Sequence, residues 1–213
     1  MIDASVLPLL QRVYARPARA LVAQGVTADM LTIGGFAIGV LVLPALAMGW
    51  TIAALLLILA NRIGDGLDGA VARILGPTDR GAFLDIALDF KFYALVPLGF
   101  AFLDPVTNAL PAAVLIAAFI GTGTSFLAFA SIAAKRGLTS EQYLRKGIYY
   151  LGGLTEGTET ISVFVAMCLW PGAFWWLAWA YAAACLLTTV LRWRMGWEVF
   201  GAEPGRRPGP RDT

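Results

Sequence analysis

The chain has 213 residues, 59% of them hydrophobic and 14% charged, with a mean hydropathy of +0.73. Average soluble domains carry about 25% charged residues, so these numbers exclude a water-soluble globule and predict a polytopic membrane protein with an all-α fold. A net charge of +2 is too small to suggest a nucleic-acid partner, and the absence of histidine excludes His-ligated metal sites and Ser-His triads.

Residues 1–24 place Arg12, Arg16 and Arg19 on one face and Val6, Leu9, Leu10, Val13, Leu21 and Val22 among them. The segment lacks the apolar core and small-residue cleavage site of a signal peptide. It predicts an amphipathic helix at the cytoplasmic surface, interrupted or kinked near Pro8 and Pro17. The alternative is a frayed basic leader.

Thr27 is the expected N-cap of a first span running to about Ala47. A second apolar run starts near Thr51 and continues into Asn61, Arg62 and a cluster of aspartates. A third runs from about Gly81 to Leu103, a fourth from Thr107 to Ala134, a fifth from Gly153 to Leu169 and a sixth from Ala173 to Arg192. Trp170, Trp175, Trp176 and Trp179 surround the last turn as an interfacial belt. Cys168 and Cys185 lie in apolar runs with no metal-binding spacing, as packing residues do. The organisation expected is a surface helix over residues 1–24, a six-helix membrane domain over 25–197, and a disordered tail over 198–213, which is rich in Pro, Gly and charge.

Basic residues alternate along this path. Arg12, Arg16, Arg19, Arg73, Arg80, Lys135, Arg136, Arg145, Lys146, Arg192 and Arg194 fall on one side, whereas the turns near Gly49, Asp104 and Pro171 carry none. The positive-inside rule therefore predicts both termini on the cytoplasmic side.

The stretch DGLDGAVARILGPTDRGAFLDIALD holds Asp65, Asp68, Asp85 and Asp89. Residues three or four apart share a helix face, so two helices separated by a turn at Gly76-Pro77 each present a carboxylate pair. An uncompensated aspartate at a helix centre costs about 2.5–3.5 kcal/mol on the insertion scale. Hard divalent cations relieve the repulsion among such carboxylates, and oxygen donors suit Mg2+ or Mn2+, which also bind substrate phosphate. Gly66 and Gly69 are expected to leave room for a ligand beside the backbone, and Arg73 to hold a phosphate.

The spacing D-x2-D-G-x2-A-R, seven residues, G-x3-D-x3-D is filled by Asp65, Asp68, Gly69, Ala72, Arg73, Gly81, Asp85 and Asp89. It resembles the signature of the CDP-alcohol phosphotransferase family, and the likeness extends over the six-helix pattern. The resemblance implies that Asp65, Asp68 and Asp85 are metal ligands and that Asp89 is both ligand and general base. It further implies that Gly69, Arg73, Thr78, Gly81 and Thr32 line the pocket for the cytidine diphosphate, and that CDP-diacylglycerol and a small alcohol react in the bilayer with release of CMP. A bacterial inner-membrane location and a homodimer are implied in the same way. The alternative reading of the motif itself is a set of interfacial ion pairs with Arg62, Arg73, Arg80 and Lys91.

Two further groups bear on the acceptor. Glu156 and Glu159 sit at the mouth of the fifth helix, either as functional acids or as partners of the helix dipole. The segment resembles the place where inositol-phosphate-using relatives carry Glu-Arg pairs, but Gly157 and Thr160 stand after the glutamates here, which counts against inositol phosphate. Lys135 and Arg136 suggest a phosphorylated acceptor such as glycerol 3-phosphate, or else headgroup anchoring. Gly121, Thr122, Gly123, Thr124 and Ser125 read as a helix-packing surface. A transporter with a carboxylate-lined ion site is the competing function; a prenyltransferase would need a second Asp-rich motif and more spans.

Overall fold

The computed structural model describes residues 3–138 and 155–201, with side chains from residue 12 onward. All regular structure among them is helical: α1 (Asp3–Ala23), α2 (Ala28–Val40), α3 (Val42–Ala47), α4 (Thr51–Leu75), α5 (Asp79–Leu103), α6 (Pro105–Lys135), α7 (Gly157–Leu169), a 3-10 turn (Pro171–Ala173) and α8 (Phe174–Gly201). Arg145 and Lys146 of the preceding loop, residues 153–154 at the start of the expected fifth span, and residues 202–213 of the tail lie outside the described residues.

Four stretches are long and apolar enough to cross a bilayer: Ala28–Ala47, Asp79–Leu103, Pro105–Lys135 and Pro171–Gly201. The other two expected spans differ in kind. α4 has 25 residues but carries Arg62, Asp65, Asp68 and Arg73 in its second half. The described α7 is an apolar helix of 13 residues, about 20 Å long at 1.5 Å per residue.

Local chemistry sets the boundaries. Thr27 caps α2 by accepting from the Met30 amide at 3.3 Å, Thr78 caps α5 by accepting from Gly81 at 3.0 Å, and Asp104 caps α6 by accepting from Thr107 at 3.2 Å. The first span is not one helix as expected: it breaks at Leu41, between α2 and α3. Pro44 explains the break, since it has no N–H for the Val40 carbonyl and its ring crowds that position. By contrast, α1 runs uninterrupted through Pro8 and Pro17. The fifth helix begins at Gly157, with Glu156 at the N-cap, and the sixth continues to Gly201, four residues into the expected tail.

α1 has the amphipathic character expected of it. Arg12, Arg16 and Arg19 are exposed, while Ala18 is buried against Ala70 and Val71 of α4. α2 crosses α4 where Gly35 and Gly64 meet backbone to backbone; a Cβ on Gly64 would lie 3.3 Å from the Gly35 Cα. Small residues permit that approach. α6 packs along α5 and α8, and the anticipated small-residue patch serves this packing: a Cβ on Gly123 would meet the Phe90 ring at 2.6 Å and one on Gly121 would meet Thr189 at 3.1 Å. The core between the helices holds Phe92, Phe100, Phe164, Phe174, Leu115 and Met167. Cys168 and Cys185 are buried, unbridged packing residues, and Trp170, Trp175, Trp176 and Trp179 are exposed around the last turn.

Candidate active site

The turn between α4 and α5 folds the two carboxylate pairs together. Gly76 adopts φ +95, a conformation that a residue with a Cβ rarely takes, and Pro77 and Thr78 then start α5. Asp65, Asp68 and Asp85 each present a carboxylate oxygen, all within 4.8 Å of one another. Three charges so spaced repel by roughly 3.5 kcal/mol per pair at an effective dielectric near 20. All four aspartates line one cavity of about 20 Å3 together with Thr32 and Asn61. That is room for one or two water-sized occupants, and the all-oxygen, multiply anionic lining fits a hard divalent cation.

Asp89 sits apart from the other three. It lies outside the 4.8 Å group and pairs with Arg62, whose Nη2 is 2.6 Å from its Oδ1. Arg62 also reaches Asp65 at 3.6 Å, donates from Nε to the Asn61 side-chain oxygen at 2.8 Å, and rests 4.8 Å from the centre of the Phe92 ring. Asn61 is buried and donates to the Gly35 carbonyl at 2.9 Å, so the guanidinium is fixed from α2 through α4. The ion-pair reading of the motif thus holds for Arg62. Arg80 pairs with Asp29 rather than with the motif, at 2.5 Å, and Lys91 is exposed.

Asp68 is buried and accepts from the Thr32 hydroxyl at 2.6 Å; the Ala28 carbonyl, at 3.0 Å, is that hydroxyl's other acceptor. Thr32, Asp68 and Asp85 also belong to a larger cavity of about 320 Å3, whose lining includes Gly69, Thr78 and Gly81. Four of the five residues expected around a nucleotide therefore share one cavity. The fifth, Arg73, is exposed beside it, with Nη1 lying 3.5 Å from where a Gly69 Cβ would be. Gly66 does not leave space as expected: the Tyr14 ring of α1 fills the position in front of it.

A third cavity, about 240 Å3, adjoins Asp89 and shares no described lining residue with the 320 Å3 cavity. Its lining includes Asp89, Tyr93, Thr122, Thr155, Glu156, Thr160 and Arg192. Glu156 occupies the N-cap position of α7 but makes no side-chain capping bond. Arg192, known from sequence only as a topology marker, is buried and donates to the Thr122 carbonyl at 2.9 Å. Lys135 and Arg136 are exposed and line none of the three cavities; Arg136 donates to the Phe200 carbonyl at 2.8 Å.

The family model for CDP-alcohol phosphatidyltransferase matches residues 25–191, and the chain belongs to that family. It is similar to the inner membrane protein YnjF of Escherichia coli (strain K12), with 54% identity over 192 residues covering 90% of this chain and 93% of the relative. Two crystal structures of Mycobacterium tuberculosis phosphatidylinositol phosphate synthase (PgsA1) share the fold, each with 25% identity and a TM-score of 0.65. One has CDP-DAG bound and covers 95% of this chain and 98% of that one; the other, in complex with manganese and citrate, covers 94% and 92%.

Proposed function

We propose that this protein transfers the phosphatidyl group of CDP-diacylglycerol to an alcohol, releasing CMP. The observation that carries this reading is the common acidic cavity: Asp68 and Asp85 also line the 320 Å3 cavity, and Asp89 also lines the separate 240 Å3 cavity. Donor and acceptor can thus meet at the carboxylates from two cavities, and proximity alone lowers the barrier by converting a bimolecular step into an internal one.

In this scheme Gly69, Arg73, Thr78, Gly81 and Thr32 surround the cytidine diphosphate. Asp65, Asp68, Asp85 and Asp89 would hold Mg2+ or Mn2+, which when bound offsets the charge of the diphosphate. Arg62 holds the Asp89 carboxylate in place. Asp89 accepts the proton of the acceptor hydroxyl as its oxygen bonds to the β-phosphorus. The bond from that phosphorus to the bridging oxygen breaks, and the electron pair leaves with CMP.

Residues 25–197 form the membrane catalytic domain, with α1 on the cytoplasmic surface and both termini cytoplasmic, in agreement with the distribution of Lys and Arg. An inner-membrane location, supported by the relative's name, and a homodimer, which the family resemblance implies, complete the proposal. Glycerol 3-phosphate remains one acceptor to assay, although Lys135 and Arg136 do not face the cavities.

The test is CMP release from CDP-diacylglycerol by the full chain in mixed micelles. Activity should require Mg2+ or Mn2+ and should fall at least about 100-fold in Asp89→Asn, the range for a general base. Full activity in that variant would overturn the assignment of the base. Metal-dependent ion flux in liposomes with no CMP release would favour the transporter instead.

A further inference from the structure

We propose that the 240 Å3 cavity beyond Asp89 receives the acceptor, and that the carboxylates of Glu156 and Asp89, which share its lining with Arg192, select an uncharged polyol over a phosphomonoester. This rests on the phosphatidyl transfer proposed above and names the acceptor class for that same site.

The lining combines charge, hydroxyls and rings. Arg192 is anchored through Nη1 to the Thr122 carbonyl, and its guanidinium lies 5.6 Å from the centre of the Phe126 ring. Glu156 lines the same cavity. A phosphate monoester carries about 1.5–2 negative charges near neutral pH. Placed here, it would have to share the one guanidinium among the described lining residues with Glu156, and it would also face Asp89. Like charges so arranged disfavour the complex.

A polyol meets no such repulsion. Glu156 and Arg192 offer it an acceptor and donors for hydroxyl groups. Three threonines line the same space. Thr122 donates to the Phe119 carbonyl at 3.0 Å, Thr155 to the Thr188 hydroxyl at 3.2 Å, and Thr160 lies 2.8 Å from both the Glu156 carbonyl and the Tyr181 hydroxyl. Each hydroxyl oxygen has two lone pairs, so it can accept from a ligand while it donates to the protein. Phe90, Tyr93 and Phe119 supply apolar faces for the carbon skeleton.

The experiment measures CMP release by the full chain with CDP-diacylglycerol and Mg2+ against glycerol, glycerol 3-phosphate, inositol, inositol phosphate and serine. The expected result is kcat/KM at least tenfold higher for glycerol or inositol than for its phosphorylated form. Glu156→Gln should lower KM for the phosphorylated acceptor at least tenfold while kcat moves less than threefold, a split that simple loss of packing would not give. A wild-type preference for a phosphorylated acceptor, or for serine, overturns the proposal without any variant. So does a Glu156→Gln enzyme with an unchanged ratio. Preference for glycerol 3-phosphate would leave phosphatidyl transfer standing, whereas no CMP release with any alcohol would sink both.

Discussion

Arg62 is the sharpest place to test the electrostatics of the site. Its side chain is 16% exposed and that of Asp89 27%, and the two meet at 2.6 Å. Arg62→Gln keeps the length and a hydrogen-bonding end but removes the charge. Breaking a buried pair from one side costs about 3–5 kcal/mol, because the surviving charge is left uncompensated; partial exposure here argues for the lower end, about 3 kcal/mol. Asp65 contributes less, since its distance is 3.6 Å and its side chain is 40% exposed. At roughly 2–4 °C per kcal/mol for a chain of this size, the variant should unfold about 6–12 °C below the parent in detergent without divalent metal. Saturating Mg2+ should restore part of this, since a ligand at 100 times its Kd stabilises by about 2.7 kcal/mol. The assay is thermal unfolding of both proteins with EDTA or Mg2+. Equal midpoints in EDTA would refute the claim that Arg62 compensates the carboxylates.

Thr32→Val removes the hydroxyl that donates to Asp68 at 2.6 Å. Hydrogen bonds to charged groups are worth about 1.5–3 kcal/mol, so the Mg2+ concentration for half-maximal CMP release should shift at least about tenfold, with unfolding in EDTA much less affected. Gly123→Ala drives a Cβ to 2.6 Å from the Phe90 ring; overpacking of this kind costs about 1–3 kcal/mol, read as a lowered unfolding midpoint, and it should also disturb Asp89, the residue preceding Phe90.

The aspartate site was legible because its chemistry is local. Spacing alone put Asp65 beside Asp68 and Asp85 beside Asp89, and Gly76-Pro77 marked the turn that joins them. Arg62 was visible as one of several candidate ion-pair partners but not as the link between Asp65 and Asp89, since it lies outside the signature and its direction depends on Asn61 and on Gly35 of the crossing helix. Arg192 was harder still. Beside Arg194 at the end of an apolar helix it reads as a topology marker, and only the packing of α6 against α8 reveals that it turns inward to the Thr122 carbonyl. The same limit applied to Lys135 and Arg136, whose position at a helix end suggested a substrate site while Arg136 in fact turns to Phe200. The break at Leu41 had a local cause in Pro44, but the apolar run continued unbroken across it and concealed the change of helix.

The contact between Tyr14 and Gly66 fixes a vertical coordinate. An amphipathic helix settles at the boundary between headgroups and acyl chains, its apolar face buried about 5–10 Å. With Tyr14 seated on Gly66, and Ala18 packed on Ala70 and Val71, α1 is fastened to α4 alongside Asp65 and Asp68. In the proposed placement of α1 at the bilayer surface the helix acts as a float, because wherever the surface holds it the carboxylates hang at the same level. For the proposed CDP-diacylglycerol donor, that level would be where the diphosphate lies while its acyl chains stay in the membrane, so the site would not need to lift the donor out of the bilayer to reach it.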